Sequence, residues 1–188
     1  MTTAAIFRRI IGALDQAGIP YMLTGSFASS YHGTPRATQD IDIVIAPTAD
    51  QILALAALLP DTEYYVDVAA ALDAQKHQGN FNIIESTTGW KINLFVRKTR
   101  PFSRGEFDRG GAVEFQGMKL SIASAEDVVI AKLEWAKIGG SQRQVEDVAG
   151  ILRIRTDQLD LDYVRSWVRE LDLQVQWEAA CRSAGIAI

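Results

Sequence analysis

The sequence has few cysteines and histidines and no long apolar run: its 188 residues include one cysteine, Cys181, and two histidines. A single cysteine excludes an internal disulfide and indicates a reducing compartment. The N-terminal residues carry charges, so we expect neither a signal peptide nor a membrane span, and a cytoplasmic protein without a membrane partner. A formal net charge of −4 excludes a uniformly basic nucleic-acid-binding protein, so any contact with nucleic acid must come from a local patch.

The order of the predicted elements indicates the fold class. Strands alternate with helices up to about residue 122, and only helical patterns follow from Ser124, where Asp127 three residues later resembles a capping box. This order predicts an α+β protein with a core domain over residues 1–122 and a helical region over residues 123–188 packed on it. Pro101 and several glycines predict a loop between residues 97 and 111.

Two aspartates stand near the start of a predicted apolar strand, in the stretch QDIDIVI. Asp40 and Asp42 alternate with isoleucines, so both carboxylates lie on one face of an interior strand, where they repel each other. Carboxylates two residues apart can share Mg²⁺, a hard cation that prefers oxygen ligands. The pattern predicts a Mg²⁺ site at this strand; the alternative is a strand that begins with two solvated aspartates.

A Gly25–Ser26 pair joins the preceding strand to a short helix. Gly25 lets the backbone approach a phosphate closely, and Ser26 lies at a helix N-terminus, where an anion is favoured. Taken alone, the pair is an ordinary start of a helix. A strand, Gly-Ser, a helix and an Asp-x-Asp strand in this order indicate phosphoryl-transfer chemistry, in which metal ions stabilise the attacking and leaving oxygens.

This arrangement resembles the nucleotidyltransferase superfamily related to DNA polymerase beta, whose signature is Gly-Ser, a gap, and Asp-h-Asp-h with h apolar. Here thirteen residues separate Ser26 from Asp40. Within the superfamily the chain, including SIASAEDVVIAKLEWAKIGGSQRQVEDVAGIL, is most similar to nucleotidyltransferases related to AbiEii-type abortive-infection toxins. The resemblance implies a nucleotidyltransferase fold with a mixed sheet and flanking helices. It also implies Mg²⁺-dependent transfer of a nucleoside monophosphate from an NTP to a hydroxyl, with pyrophosphate leaving.

The resemblance further implies residue roles and partners. An RNA end is the leading acceptor and a protein the second, in a toxin-antitoxin or phage-defence setting, with an antitoxin or a second copy of the chain as candidate partners. Asp40 and Asp42 are the catalytic metal ligands; the implied nucleotide-binding residues are Gly25, Ser26, Arg36, Thr38 and Asn93.

One position departs from the superfamily pattern. A third carboxylate is common on a later strand, in a pattern like K-h-D-h-h, and this sequence has Asn93 there, in KINLFV. An amide offers a carbonyl oxygen but no charge, and it is a poorer base than a carboxylate. Three alternatives remain: an active enzyme with a weaker metal site, a replacement carboxylate from Asp67 or Glu85, or a nucleotide-binding or partner-binding module that has lost the chemistry.

The C-terminal helices contribute two further candidates. Lys132 lies on a largely apolar helix face, so its ammonium either reaches water along that face or points into the site and holds the triphosphate. Asp147 follows Arg143 by four residues, which is typical of a surface ion pair. The resemblance favours catalytic roles instead, with Lys132 as a charge clamp and Asp147 orienting Lys132 or assisting the acceptor.

A basic segment follows the strand that carries Asn93. Its sequence, RKTRPFSRGEFDRGG, has a net charge of +3 by count in a chain that is negative overall. Arginines interleaved with Phe102 and Phe107 suit a contact with RNA or with a triphosphate. A solvated basic loop is the alternative.

Overall fold

The structure, a computed structural model, describes residues 3–115 and 117–186 and contains a seven-stranded mixed sheet. Its strands are β1 (Tyr21–Thr24), β2 (Asp40–Ile45), β3 (Tyr64–Val66), β4 (Asn80–Glu85), β5 (Lys91–Val96), β6 (Gly111–Phe115) and β7 (Met118–Ile122). Their order is β3-β4-β5-β2-β1-β7-β6, so β2 is an interior strand as predicted. The pairs β2–β5 and β1–β7 are parallel, whereas β3–β4, β4–β5 and β6–β7 are antiparallel.

Helices precede, interrupt and follow the strands. They are α1 (Thr3–Gln16), α2 (Gly25–His32), α3 (Ala49–Ala57), α4 (Val68–His77), α5 (Pro101–Asp108), α6 (Ala125–Gly139), α7 (Gln142–Arg155), α8 (Leu161–Glu170) and α9 (Gln174–Ala184). The predicted α+β class with a mixed sheet is therefore confirmed. None of the helices in the described part of the chain is long and apolar enough to cross a membrane.

The described residues form two compact units. The first takes its residues from Met1–Leu23 and Gln39–Ile122, and includes α1, α3, α4, α5 and the sheet. The second takes its residues from Thr24–Thr38 and Ala123–Ile188, and includes α2 and α6 to α9. The predicted domains, 1–122 and 123–188, stay a prediction; residues 1–2, 116 and 187–188 of them lie outside the described residues.

Two helices were not predicted from the sequence. Helix α5 replaces the predicted loop: Pro101 occupies its first turn, where no backbone donor is needed, and Phe102 and Glu106 are buried one turn apart. Helix α4 begins at Asp67, whose carboxylate accepts a hydrogen bond from the Ala70 N–H at 2.9 Å. In α5, burial thus outweighs the turn-forming residues, and in α4 the Asp67 cap marks the start of the helix.

The two faces of β2 differ in burial. Ile41, Ile43 and Ile45 are fully buried on one face, whereas on the other face Asp40 is exposed and Asp42 is half-buried. The alternation predicted from the sequence therefore holds, and the carboxylates lie on the more accessible face of the sheet.

The turn between β4 and β5 is closed by a buried carboxylate. Glu85 accepts hydrogen bonds from the N–H groups of Thr87 (3.1 Å) and Thr88 (2.7 Å) and from the Thr88 hydroxyl. The Thr88 hydroxyl and the backbone donors outweigh the burial, and they lower the pKa of Glu85 from 4.5 to about 2. The ionised form of Glu85 therefore stabilises the fold.

Replacing Glu85 with glutamine should make the stability less dependent on pH. Glu85 contributes fully above the ordinary glutamate pKa, near 4.5, and this contribution is lost as the pH falls toward about 2. Urea unfolding should show Glu85→Gln less stable by about 2 kcal/mol at neutral pH, with a difference that shrinks in acid. Glu114→Gln, on the exposed side of β6, is the control. A difference that does not change with pH contradicts this account.

The second unit begins its C-terminal helices with a reciprocal cap. The Ser124 hydroxyl accepts a hydrogen bond from the Asp127 N–H at 3.1 Å and donates one to Asp127 Oδ2 at 2.6 Å. The predicted capping residue is therefore confirmed as the N-cap of α6. His32, the last residue of α2, forms a 2.7 Å hydrogen bond between its Nε2 and the carbonyl of Ala123, the residue before Ser124.

Candidate functional site

The first cluster of candidate site residues lies on the accessible face of the sheet in the first unit. Asp42 on β2 is directly opposite Asn93 on the parallel strand β5, and Asp40 is opposite Lys91. The Asn93 amide Nδ2 donates a hydrogen bond to Asp42 Oδ1 at 2.7 Å. The structure therefore brings Asn93 against Asp42.

A third strand extends this cluster with a residue that sequence analysis did not single out. Asn82 on β4 is directly opposite Asn93 in the antiparallel pair β4–β5. Directly opposed residues project from the same face of a sheet, so Asp42, Asn93 and Asn82 form a row across three strands. We call these three residues the polar row. Only the strand register, which has no local signal in the sequence, reveals Asn82.

The donor set of this cluster fits a hard divalent cation. Two carboxylates on one face of β2 supply negatively charged oxygens, and the Asn93 side chain, which also carries an amide oxygen, lies beside Asp42. No group of three His, Cys, Asp or Glu side chains suited to a metal occurs within residues 3–115 and 117–186. Mg²⁺ is commonly held by one or two carboxylates together with substrate phosphates, so two aspartates meet its usual requirement.

Neither of the two proposed replacement carboxylates belongs to this cluster. Asp67 is exposed and caps α4. Glu85 is three residues from Asn82 on β4, so it projects from the opposite face of the sheet, and its oxygens bind the β4–β5 turn. The alternative in which Asp67 or Glu85 replaces the third carboxylate is therefore wrong.

The second cluster of candidate site residues belongs to the second unit and is built on Asp147 of α7. The Arg36 guanidinium binds this carboxylate through two hydrogen bonds, Nε to Oδ1 at 2.8 Å and Nη2 to Oδ2 at 3.0 Å. Lys132 of α6 donates from Nζ to Asp147 Oδ2 at 2.6 Å. Arg36 also donates from Nη2 to the Ser26 hydroxyl oxygen at 2.6 Å. Four predicted site residues are thus joined in one hydrogen-bonded network.

This network is largely removed from water. The side chains of Lys132 and Asp147 are 5% and 8% exposed, and that of Arg36 is 26% exposed. Burial opposes the ionisation of Asp147, but the hydrogen bonds and charges of Arg36 and Lys132 outweigh it and hold the pKa of Asp147 below its usual value. Asp147 is therefore an ionised anchor for two cations and a weak base.

These contacts exclude one alternative for each of Lys132 and Asp147. The Lys132 ammonium does not reach water along the helix face, because it is buried against Asp147. Asp147 does not form the predicted surface ion pair: its partners are Arg36 and Lys132, whereas Arg143 is exposed. The catalytic roles of Lys132 and Asp147 stay predictions.

The remaining predicted residues lie at the ends of α2 and of the segment after it. Gly25 begins α2 with φ of +64°, a left-handed conformation that favours glycine. Ser26 follows in the first turn, where backbone N–H groups lack intrahelical partners. Thr38 is half-buried two residues after Arg36.

Close packing of α7 against the segment after α2 positions Arg36. A Cβ atom added to Gly33 would lie 2.8 Å from the backbone nitrogen of Ile151, and one added to Gly150 would lie 3.1 Å from the Thr34 Oγ1. The backbone at Gly33 therefore approaches α7 more closely than a Cβ atom would allow, and Gly150 packs tightly against Thr34. Arg36 follows Gly33 by three residues and binds Asp147 on the same helix, α7.

Gly33→Ala should destabilise the protein by about 1–3 kcal/mol, because the helix backbone has to move to admit the new methyl group. The matched control is Gly12→Ala in α1, where no atom lies within 4 Å of the added Cβ. That change should stabilise the protein by about 0.5–1 kcal/mol, since alanine is the better helix former. Urea unfolding of both variants measures the change in the free energy of unfolding, which should be a loss for Gly33→Ala and a gain for Gly12→Ala. An unchanged stability of Gly33→Ala contradicts the tight packing.

An open cleft of about 360 Å³ adjoins the Arg36–Asp147 pair within the second unit. Its walls include Arg36, Asp147, Glu146 and Arg153. This volume is within the range of small-molecule sites, and the charged lining suits a polar ligand.

The basic segment lies at the other end of β2 from the aspartates. The Arg97 N–H donates to the Ile45 carbonyl at 2.8 Å, so the segment starts where β2 ends, about 17 Å along the strand from Asp40. Arg97 stacks over Phe107 at 5.1 Å, whereas Lys98 and Arg104 are exposed.

The sequence matches no protein-family model and no curated protein. Solved structures of low sequence identity nevertheless share its fold. The crystal structure of ANT(2")-Ia in complex with adenylyl-2"-tobramycin is 13% identical, with a TM-score of 0.61 over 94% of this chain and 99% of that chain.

Two further structures show the same similarity. An antigenic nucleotidyltransferase-like protein from Paracoccidioides brasiliensis is 16% identical, with a TM-score of 0.57 over 94% of this chain and 92% of that chain. The lincosamide antibiotic adenylyltransferase LnuA, lincomycin-bound, is 14% identical, with a TM-score of 0.56 over 82% of this chain and 98% of that chain. The predicted nucleotidyltransferase fold is therefore confirmed.

Proposed function

We propose that the protein is a Mg²⁺-dependent nucleotidyltransferase that moves a nucleoside monophosphate from an NTP to a hydroxyl acceptor. One observation carries this proposal: on a nucleotidyltransferase fold, Asp40 and Asp42 share the accessible face of β2, with Asn93 2.7 Å from Asp42. A strand that only needs to be stable has no use for two neighbouring carboxylates, because they repel each other.

The proposed reaction is an in-line displacement at the α-phosphate. The acceptor hydroxyl oxygen forms a bond to the α-phosphorus, the bond from that phosphorus to the α–β bridging oxygen breaks, and pyrophosphate leaves while the hydroxyl proton passes to water. Asp40 and Asp42 would hold Mg²⁺, which supplies positive charge to the phosphate oxygens. Asn93 lines the same cluster but does not take the proton, because an amide is a very weak base.

Within the second unit, several residues have groups suited to an anion. The implied role of Gly25 and Ser26 is to bind phosphate at the first turn of α2, and that of Lys132 is to act as the charge clamp. Arg36 ties the Ser26 hydroxyl to Asp147, with Thr38 close by in sequence. We assign Asp147 to the orientation of both cations rather than to proton transfer, since its pKa is lowered.

The proposed acceptor is an RNA end, which is what the resemblance of the sequence motifs to AbiEii-type toxins implies. The basic segment supports this assignment, because exposed Lys98 and Arg104 next to stacked arginines suit a phosphate backbone. Such a role fits a toxin-antitoxin or phage-defence protein, with an antitoxin or a second copy of the chain as partner.

Two alternatives each have a specific observation in their favour. Structural neighbours that bind adenylyl-2"-tobramycin or lincomycin favour a small hydroxylated acceptor. The amide at position 93, where the superfamily commonly has a carboxylate, favours a non-catalytic module that binds nucleotides or a partner.

A label-transfer panel tests these assignments together. The protein is incubated with Mg²⁺ and each α-labelled NTP in turn, with total RNA, lysate protein, or tobramycin and lincomycin as acceptors. Label on RNA is the expected result. Label found only on protein, or only on an antibiotic, would identify that molecule as the acceptor in place of RNA. Mg²⁺-dependent NTP binding without transfer would support the non-catalytic module. Asn93→Asp would then show whether a third carboxylate restores transfer.

A further inference from the structure

The polar row contains an amide whose present orientation is unsuited to a cation. Asn93 donates its Nδ2 hydrogen to Asp42 Oδ1, so it turns hydrogen atoms toward the oxygens that would bind a metal. A carboxylate only accepts hydrogen bonds, so this orientation is the favourable one for Asn93 while no cation neutralises Asp42. For Asn93 to offer its oxygen instead, the amide must rotate about its terminal torsion, which exchanges the positions of Oδ1 and Nδ2.

On the side of Asn93 away from Asp42, Asn82 of β4 has an oxygen that could accept a hydrogen bond. Asn82 Oδ1 is buried and has no hydrogen-bond partner among the described residues. Buried polar atoms without a partner are rare and call for an explanation. Asn82 is directly opposite Asn93 on β4, as Asp42 is on β2, so Asn93 lies between two acceptors.

We propose that Asn82 is a positioning residue that enables Asn93 to act as a metal ligand. When a divalent cation binds at Asp40 and Asp42, the Asn93 amide rotates, turns its oxygen to the cation and donates its Nδ2 hydrogen to Asn82 Oδ1. The rotation removes a donor from Asp42 and satisfies the buried acceptor at Asn82. This inference rests on the proposed function, and it explains how an amide serves where a third carboxylate is common.

The test measures binding of Mn²⁺, which prefers the same oxygen ligands as Mg²⁺, by electron paramagnetic resonance. Asn82→Ala should weaken binding about 10-fold or more, as is typical when the partner of a metal ligand is removed. The matched control is Asn80→Ala, an exposed position two residues earlier on the same face of β4, which should leave the affinity unchanged.

A double-mutant cycle separates positioning from a general structural role. In the Asn93→Asp background the ligand is a carboxylate with no N–H to place, so Asn82→Ala should no longer weaken Mn²⁺ binding. An equal loss in both backgrounds would mean that Asn82 only maintains the fold, and it would overturn the proposal.

The wild-type protein provides a readout that needs no variant. In ¹⁵N-labelled protein, Mg²⁺ should shift the side-chain amide resonances of Asn93 and Asn82 together. Mg²⁺ binding that leaves the Asn93 amide unmoved overturns this inference but not the proposed function. If neither ion binds, or if binding is unaffected by Asp42→Asn, the metal site and this inference both fail.

Discussion

Asp42→Asn lowers the rate of nucleotidyl transfer by at least about 1,000-fold in the label-transfer assay. The change removes one of the two charged oxygen ligands of the proposed Mg²⁺ site, and charge stabilisation by a metal is worth several kcal/mol in the transition state. A loss of about 4 kcal/mol corresponds to a factor of about 1,000 in rate.

The same substitution should leave the fold at least as stable as before. Asparagine has the shape of aspartate, its oxygen still accepts the Asn93 hydrogen bond, and the repulsion from Asp40 is removed. Asp61→Asn, at an exposed turn of the same unit, is the control and should retain full activity. Full activity of Asp42→Asn would exclude this residue as a metal ligand, and a large loss of stability would make it a structural residue.

Asp147→Ala destabilises the protein by about 3–5 kcal/mol. The alanine variant removes the carboxylate shared by the buried Lys132 ammonium and the Arg36 guanidinium, and removing one partner of a buried ion pair has a cost of this size. The melting temperature should fall by roughly 10 °C, since 1 kcal/mol is worth about 2–4 °C in a chain of this length.

A neighbouring acidic residue supplies the control for this prediction. Glu146 precedes Asp147 on α7 and is exposed, so Glu146→Ala should change the stability by less than about 0.5 kcal/mol. Equal melting temperatures for the two variants would show that the network does not stabilise the fold.

The acid stability of the wild type provides a second readout of the Asp147 network. The pKa of Asp147 is lowered, so its contribution is complete above the ordinary aspartate value, near 3.8, and is lost as the pH falls through the lower folded value. The stability difference between wild type and Asp147→Ala should therefore shrink in acid.

Local sequence patterns were sufficient to predict the strand with the aspartates. The alternation of Asp40 and Asp42 with isoleucines indicates a strand whose two faces differ, and the structure has this strand in the interior of the sheet. The resemblance added Asn93, and the β2–β5 register places it beside Asp42. These features depend on short spacings along the chain.

The partners that the sequence could not predict are distant along the chain. Arg36 and Asp147 are 111 positions apart, whereas local reasoning offered only the i,i+4 neighbour Arg143 for Asp147. Asn82 joins the polar row only through the β4–β5 register. Long-range pairing of this kind leaves no period or motif in the sequence.

Helix α5 is a segment for which the local sequence pattern predicted the wrong structure. Its proline and glycine content is typical of a loop, which is the structure predicted from the sequence. Two buried side chains one turn apart, Phe102 and Glu106, make the helix favourable in the folded protein. Tertiary burial outweighed local preference, as it does wherever a short segment has a buried face to cover.

The fate of the two ends of the triphosphate tests the central claim most directly. Parallel reactions contain the same NTP labelled at either the α- or the γ-phosphate, together with Mg²⁺ and the RNA acceptor. Nucleotidyl transfer places the α-label on the acceptor and releases the γ-label as pyrophosphate, in equal amounts. A γ-label on the acceptor would indicate phosphoryl transfer instead. If the α-label does not reach the acceptor and the γ-label is not released, the result contradicts an active transferase.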